Sequence, residues 1–287
     1  MKIEIQKDLL HSLFTLAYVV EAKDAYTAGH LWRVSQYAKL VGLKLGFNQS
    51  ELSALMAGAF LHDLGKVAIP DSILNKKSKL EDEEYEVIKT HPQVGVSIIE
   101  SHPLALLVKQ VIEQHHEMPN GKGYPYGLDW DQVSLFSKIV GICDAFDAMT
   151  SNRSYRKGFP LAKAMDILKS EDGSQFDSEL LKIFFEIPIQ DIQHVCGHSD
   201  DGIPLLSCPA CSAPIQILFN TKDGDEGLCR ACSGNFILHK NRDEKTGFSL
   251  EFKNMESLAS TIYRKEIDDS VVDKLVSSFP KYIEIVG

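Results

Sequence analysis

Three times in this chain an apolar helical stripe runs directly into side chains that bind metals. In the run from Leu52 to Leu61, the apolar residues at 52, 55, 56 and 59 keep the three-and-four spacing of one helix face. Continuing that spacing reaches His62 and Asp63, so both are aimed at the core and not at water. Leu104, Leu107, Val108, Val111 and Ile112 lead in the same way onto His115 and His116. Ile139, Val140 and Cys143 lead onto Asp144, with Asp147 one turn further along. A single inward histidine is ordinarily a hydrogen-bonded core residue, and a single inward aspartate is often a cap. Together with His91 the set has six members, and a buried carboxylate is costly unless something neutralises it. A fold that brings these helices to one metal centre satisfies all six at once.

The donor types narrow the metal. Histidine and carboxylate without thiolate suit iron, manganese, zinc or nickel, whereas an all-carboxylate site would suit magnesium or calcium. Six donors exceed what one four-coordinate zinc takes and point to at least two ions. Adjacent His62 and Asp63 fit this, because a carboxylate can bridge two ions while its neighbour binds one. Two ions about 3.5–4 Å apart form a clamp suited to in-line displacement at phosphorus, able to act at neutral pH without a separate protein base.

His62-Asp63 followed by Gly65-Lys66 resembles the signature of the HD superfamily of metal-dependent phosphohydrolases. The string from His115 through Glu117, Asn120 and Gly121 to Gly123-Tyr124-Pro125 is similar to that of its HD-GYP branch. The segments Glu21 to His30, Ile69-Pro70-Asp71, His91-Pro92, Asp144 to Ala148, Arg153 to Arg156 and Phe176-Asp177 agree in composition and order. The resemblance covers about residues 9 to 188. It implies a helical bundle, two divalent metal ions with iron or manganese preferred, and hydrolysis of cyclic di-GMP to pGpG and/or GMP by a metal-activated hydroxide. Some members cleave cyclic GMP–AMP instead.

Carried over residue by residue, the resemblance assigns His62, Asp63, His91, His115, His116 and Asp144 to a dinuclear core, with Asp63 bridging. His30 matches a ligand of a third ion held by some members. Those members have an acidic residue four positions earlier, where this chain has Tyr26, so a two-ion centre with His30 beside it is the expectation. Lys66 resembles a phosphate-contacting lysine, Arg153 and Arg156 match positions that grip the dinucleotide, and Tyr124 belongs to the loop that names the branch. Asp147 shares a helix face with Asp144 and could protonate a leaving alkoxide or orient a ligand. The charges also make sense from below. Two ions neutralise only one of the two phosphates in a cyclic dinucleotide, and Lys66, Arg153 and Arg156 supply the remaining positive charge. The chain departs from the family pattern at Asn120 (usually Asp), Ser154 (usually Pro), Arg156 (where Lys is also common) and Ser178 (often Pro), none of which removes a ligand.

A second pattern lies outside that resemblance. Cys208-Pro209-Ala210-Cys211 and Cys229-Arg230-Ala231-Cys232 are two Cys-x-x-Cys knuckles with the spacing of a zinc ribbon, four thiolates closing on one structural zinc. Two disulfides or a redox Cys-x-x-Cys are the rival readings, disfavoured by a cytosolic setting and by the matched pair. Ile215, Ile217 and Phe219 alternate, as do Phe236 and Leu238, which suits short strands. His194, Cys196 and His198 form a tract read as linker, though it could bind metal.

The expected organisation is mainly α: an HD-type helical catalytic domain over 1–190, a linker over 191–204, a four-cysteine zinc ribbon over 205–240 and a small α+β tail over 241–287 packed with it. In the tail, Phe248, Leu250 and Phe252 alternate, residues 271–279 have helical spacing, and Tyr282, Ile283 and Ile285 suit a strand. No run reaches the roughly 18 apolar residues of a membrane span. Leu9 to Val20 reads as a first helix and not as a signal peptide, so the cytoplasm is the expected location. A formal charge of −10 disfavours a nucleic-acid polymer as partner while leaving room for a local cationic pocket. Three readings follow: a cyclic-dinucleotide phosphodiesterase, an HD hydrolase acting on another nucleotide, and a signalling adaptor that binds the dinucleotide or, through the C-terminal unit, a protein. The sequence carries no signal for oligomeric state.

Overall fold

Leu52 through Leu61 are buried without a break, so the helix that carries them is the axis of the fold and not one amphipathic wall of it. The sequence stripe at 52, 55, 56 and 59 reads one inward face. The structure closes every face because α1 (Lys7–Lys23), α2 (His30–Lys44), α7 (Ala105–Gln114) and α8 (Leu135–Thr150) surround α3 (Gln49–Leu61). The computed structural model describes residues 2–24, 27–153, 156–200, 203–217, 221–229, 231–241, 247–255 and 269–284. Tyr26, Ser154, Tyr155, Phe219 and Ile285, which figure in the sequence expectations, lie outside these.

Local chemistry sets the helix ends. Asn48 caps α3 by accepting from Ser50 N at 2.8 Å and Glu51 N at 3.1 Å, while Glu51 accepts from Asn48 N at 2.8 Å, a reciprocal capping box. Ser134 caps α8 through Ser137 N, and Asp177 caps α10 (Ser178–Phe185) through Glu179 N and Leu180 N. Between α3 and α7 the chain makes a 3-10 turn (Leu64–Ala68), two short helices α4 (Asp71–Leu74) and α5 (Asp82–Ile88), and α6 (His91–Ile99), which packs on the turn and on α7. α9 (Leu161–Ser170) and α10 pack against α8, and α11 (Ile189–Cys196) against α2.

The described residues of the span expected as linker are mostly helix and strand. α11 runs to Cys196, and β2 (His198–Asp200) follows at once, antiparallel to β3 (Ile203–Ser207), which pairs in turn with β4 (Pro214–Gln216). A second antiparallel sheet holds β5 (Glu226–Leu228), β6 (Gly234–Lys240) and β7 (Phe248–Met255), with Phe236 opposite Phe252 and Leu238 opposite Leu250. The tail then divides. β7 extends the ribbon sheet, whereas α12 (Asp269–Ser277) packs on α1, and β8 (Tyr282–Glu284) pairs antiparallel with β1 (Lys2–Glu4). Val272, Leu275, Val276, Phe279 and Ile283 share the core of the helical bundle, and the Phe279 ring meets Phe14 edge-on at 5.7 Å. The apolar face of this helix finds its partner in α1, because that is where uncovered apolar surface remains. The protein is thus a mainly helical bundle followed by a small C-terminal α+β unit. No helix among the described residues is long and apolar enough to cross a membrane.

Candidate metal centre

The three stripes end at one place. His62 closes α3, Asp63 follows it, His115 and His116 close α7, and Asp144 projects from α8. His91 opens α6, and its approach depends on a glycine: a β-carbon at Gly65 would lie 1.9 Å from the His91 carbonyl oxygen. Only a residue without a side chain lets the turn bearing Asp63 and Lys66 press onto the start of α6.

Ring orientation is set by the other nitrogen of each histidine. His62 Nδ1 donates to Ala59 O at 2.6 Å, His91 Nδ1 to Ile88 O at 2.8 Å, and His115 Nδ1 to Val111 O at 3.0 Å. His30 Nδ1 donates to Asp147 Oδ2 at 2.8 Å. With Nδ1 engaged, the four Nε2 atoms face inward, the arrangement that metal-binding histidines adopt. His91 Nε2 lies 3.3 Å from His115 Nε2 and 3.4 Å from Asp63 Oδ1. On the other side His30 Nε2 is 3.5 Å from both Asp63 Oδ2 and Asp144 Oδ1, and His62 Nε2 is 3.4 Å from Asp63 Oδ2. The two oxygens of Asp63 therefore face two different groups of donors. His91, His115 and His116 form one such group, and His30, His62 and Asp144 another.

Buried His30 Nε2, His62 Nε2 and Asp63 Oδ1 have no hydrogen bond. Atoms of this kind are costly to leave unmatched, and donors bound to a common ion at about 2.1 Å stand roughly 3 Å apart. The residues present therefore fit divalent metal ions. The protonation states agree. Burial lowers the pKa of His91 to about 4 and pushes His115 and His116 well below the ordinary imidazole value, so all three are neutral ligands at neutral pH. Burial would raise Asp63, but Lys66 and His62 outweigh it and hold the carboxyl well below its usual range. Burial also opposes charge on His30, yet Asp147, Asp63 and Asp144 raise it to about 9, the mark of a site that draws positive charge.

Asp147 is fully buried and doubly held, by Arg33 Nε at 2.5 Å and Nη2 at 3.0 Å as well as by His30. Burial pushes its pKa up, and the Arg33 guanidinium overrides this and holds it below the ordinary carboxylate range. Of its two candidate roles, the hydrogen bonds from His30 Nδ1 and from Arg33 favour orientation of His30. Arg33 carried no sequence expectation, although its place three residues after His30 on α2 is the signal that would have found it.

Around the centre, Lys66 Nζ sits 2.5 Å from Asp63 Oδ2. The ring of Tyr124 stacks on His116 with centroids 4.6 Å apart. Glu117, buried behind them, accepts from Tyr126 N and Leu128 N and so folds this loop. Asn120 keeps the loop turn through Oδ1 and Lys122 N at 2.9 Å, so the change from the family's aspartate costs it nothing there. A cavity of about 330 Å³ opens from His115, His116 and Asp144 and is walled by Tyr124, Trp130 and Phe176. The two arginines differ. Arg153 is half-buried on the loop after α8, whereas the Arg156 guanidinium donates to Ala148 O at 2.7 Å and Met149 O at 3.1 Å and stacks on Phe159. Arg156 caps the end of α8, a use that sequence spacing did not reveal.

The C-terminal cysteines form their own cluster. Cys208 Sγ lies 3.7 Å from Cys232 Sγ, and Cys211 Sγ 3.6 Å from Cys229 Sγ, far beyond the bond of about 2.05 Å in a disulfide. Sulfurs at about 2.3 Å from a tetrahedral ion are spaced about 3.8 Å apart, so the four fit one ion. The knuckles repeat one local form: Ser212 and Ser233 both have positive φ (63° and 61°) and donate from N to the carbonyls of Cys208 and Cys229. His194, Cys196 and His198 make no such cluster among the described residues.

A family profile described as HD domain matches residues 15–180. The cyclic di-GMP phosphodiesterase response regulator RpfG of Xanthomonas campestris is 34% identical over 68% of this chain and 52% of its own length. The 3'3'-cGAMP-specific phosphodiesterase 2 of Vibrio cholerae is 31% identical over 65% of this chain and 36% of its own. The chain thus spans about half or less of these curated relatives. The helical fold is similar to that of a crystallised cyclic GMP–AMP specific phosphodiesterase from V. cholerae, with a TM-score of 0.50 and 17% identity over 68% of this chain and 51% of that one.

Proposed function

The chain belongs to the HD domain family, and from that premise we propose that it is a metal-dependent phosphodiesterase that hydrolyses cyclic di-GMP to pGpG and/or GMP. The observation that carries this reading is the set of inward Nε2 atoms gathered around the two oxygens of Asp63, beside a cavity walled by aromatic rings. His62, Asp63, His91, His115, His116 and Asp144 would hold two divalent ions, iron or manganese by preference, with His30 as a further donor. Bound there, such ions lower the pKa of water to give a nucleophile at neutral pH and offset charge developing on phosphorus.

The chain's own residues do the rest. Asp147 and Arg33 lock the His30 ring, and backbone carbonyls lock the other histidines, so little reorganisation remains when substrate arrives. Lys66 and Arg153 supply positive charge to the phosphates, and Tyr124 lines the cavity where a base would lie. Cyclic di-GMP is the reading favoured here, and relatives whose names specify cyclic GMP–AMP make that dinucleotide the necessary competitor. The test is turnover of both, alongside a linear dinucleotide and a nucleoside monophosphate, by anaerobically purified protein of measured metal content. Preferential release of pGpG or GMP from cyclic di-GMP supports the proposal. Full metal loading without turnover of either cyclic dinucleotide overturns it in favour of a binding module.

A further inference from the structure

Ile217 and Leu238 of the C-terminal unit join the core of the helical bundle, and two further contacts of that unit among the described residues adjoin groups given work at the metal centre. Asn152, next to Arg153, donates from Nδ2 to Ser212 O at 2.7 Å, and Ser212 belongs to the first knuckle. The same amide accepts at Oδ1 from Gly158 N at 2.9 Å, closing the loop that starts and ends between these residues. At the second point the backbone of Gly29, which precedes His30, lies against Ser199 of β2. A β-carbon there would come within 2.6 Å of Ser199 Cα, and Gly29 has a φ of 72° that side chains rarely adopt.

We infer that Asn152 is a positioning residue through which the four-cysteine module holds the Arg153 loop in its binding conformation. Its amide group has one donor tied to the knuckle and its acceptor tied to the far side of the loop, so the knuckle adds one tie to a loop that Arg156 also anchors on the end of α8. The knuckle sits at the tip of the β3–β4 hairpin, and an ion held by the four converging thiols would fix it further. The module therefore acts on substrate affinity without contributing an atom to the metal centre. The effect on turnover rests on the phosphodiesterase reading above, while the physical tie between knuckle and loop does not.

The experiment compares full-length wild type, Asn152→Asp, Cys211→Ser and the double variant. Aspartate keeps the acceptor for Gly158 N but faces the Ser212 carbonyl with an oxygen, so it breaks only the tie to the knuckle. Hydrogen exchange, followed without substrate, is expected to rise across residues 152–158 in Cys211→Ser as well as in Asn152→Asp. Unchanged exchange there in Cys211→Ser overturns the inference. In kinetics, each single variant is expected to raise KM about three- to tenfold, the scale of one lost hydrogen bond, with kcat and helical-centre metal content unaltered. The double variant should be no worse than the worse single, because both cut one connection. Effects that multiply, or a fall in kcat at constant KM, would show separate structural damage and also overturn the inference. Absence of turnover in wild type would remove the proposed function and leave the exchange result to decide the tie.

Discussion

The helical centre and the four-cysteine module are both clusters of metal-binding side chains, built in opposite ways. The first draws its donors from α2, the end of α3, the start of α6, the end of α7 and the middle of α8. The second draws them from two copies of one tight turn. Donors in the first are oriented by carbonyls and carboxylates of the fold itself, so the bundle stands before any ion arrives. In the second, the apolar cluster around the thiols is small, with Ala213, Ile215 and Phe236 beside the cysteines. On the proposed reading, an ion would serve chemistry in the one region and folding in the other.

That contrast breaks most sharply at Asp63. Asp63→Ala removes both oxygens that face the two donor groups, and turnover should fall below about 1% of wild type with loss of bound metal. Far-ultraviolet circular dichroism should change little, because α3 is buried by its apolar residues. Wild-type turnover, or a chain that unfolds, would mean that the helical centre is not a preorganised site of chemistry. Cys208→Ser is the mirror experiment. It should eliminate about one zinc per chain and the protection of the C-terminal sheets while the helical centre keeps its ions. Retained zinc, or joint loss of both kinds of metal, would erase the distinction.

The two regions were also unequally legible in sequence. Helix-period stripes ending in His62, Asp63, His115, His116 and Asp144 marked the donors, because burying such groups has few solutions. The knuckle spacing marked the cysteines. What spacing could not carry was anything set by which elements meet: Arg33 against Asp147, Arg156 on the end of α8, and Asn152 on Ser212. The residues at 191–204 read as linker because they mix Gly, Pro and Asp, yet α2 offers a surface on which α11 and β2 settle. The tail helix joins α1 and not the ribbon for the same reason. Local pattern does not say where apolar surface remains uncovered.

Asp147 tests whether the helical centre owes its order to the fold. Asp147→Asn weakens the hold on His30, which should lower metal affinity about 10- to 100-fold. It also leaves Arg33 buried without its counter-charge, at a cost of about 3–5 kcal/mol in stability. The pH dependence has a definite sign. Asp147 has a folded pKa below its unfolded value of about 3.9, so its contribution is complete above that value and is lost as pH falls through the folded pKa. In urea titrations of the metal-stripped chain, acid destabilisation below about pH 4 should be shallower in the variant than in wild type. An equal slope would assign the acid sensitivity to other groups.

The finest test lies at the border, where two arginines three residues apart belong to different kinds of structure. Arg153→Ala should raise KM about tenfold with metal content and melting temperature unchanged, because a charged hydrogen-bond donor to phosphate is removed while its backbone bridge to Arg156 stays. Arg156→Ala should do the reverse. Its guanidinium satisfies carbonyls at the end of α8 and covers Phe159, contacts worth about 1 kcal/mol, or a melting shift of roughly 2–4 °C in a domain of this size. KM should move only as far as the loosened loop disturbs Arg153. If Arg156→Ala instead raised KM as much as Arg153→Ala at unchanged stability, the cap would be expendable. The dinucleotide would then draw that guanidinium away from α8, and both arginines would belong to the binding site.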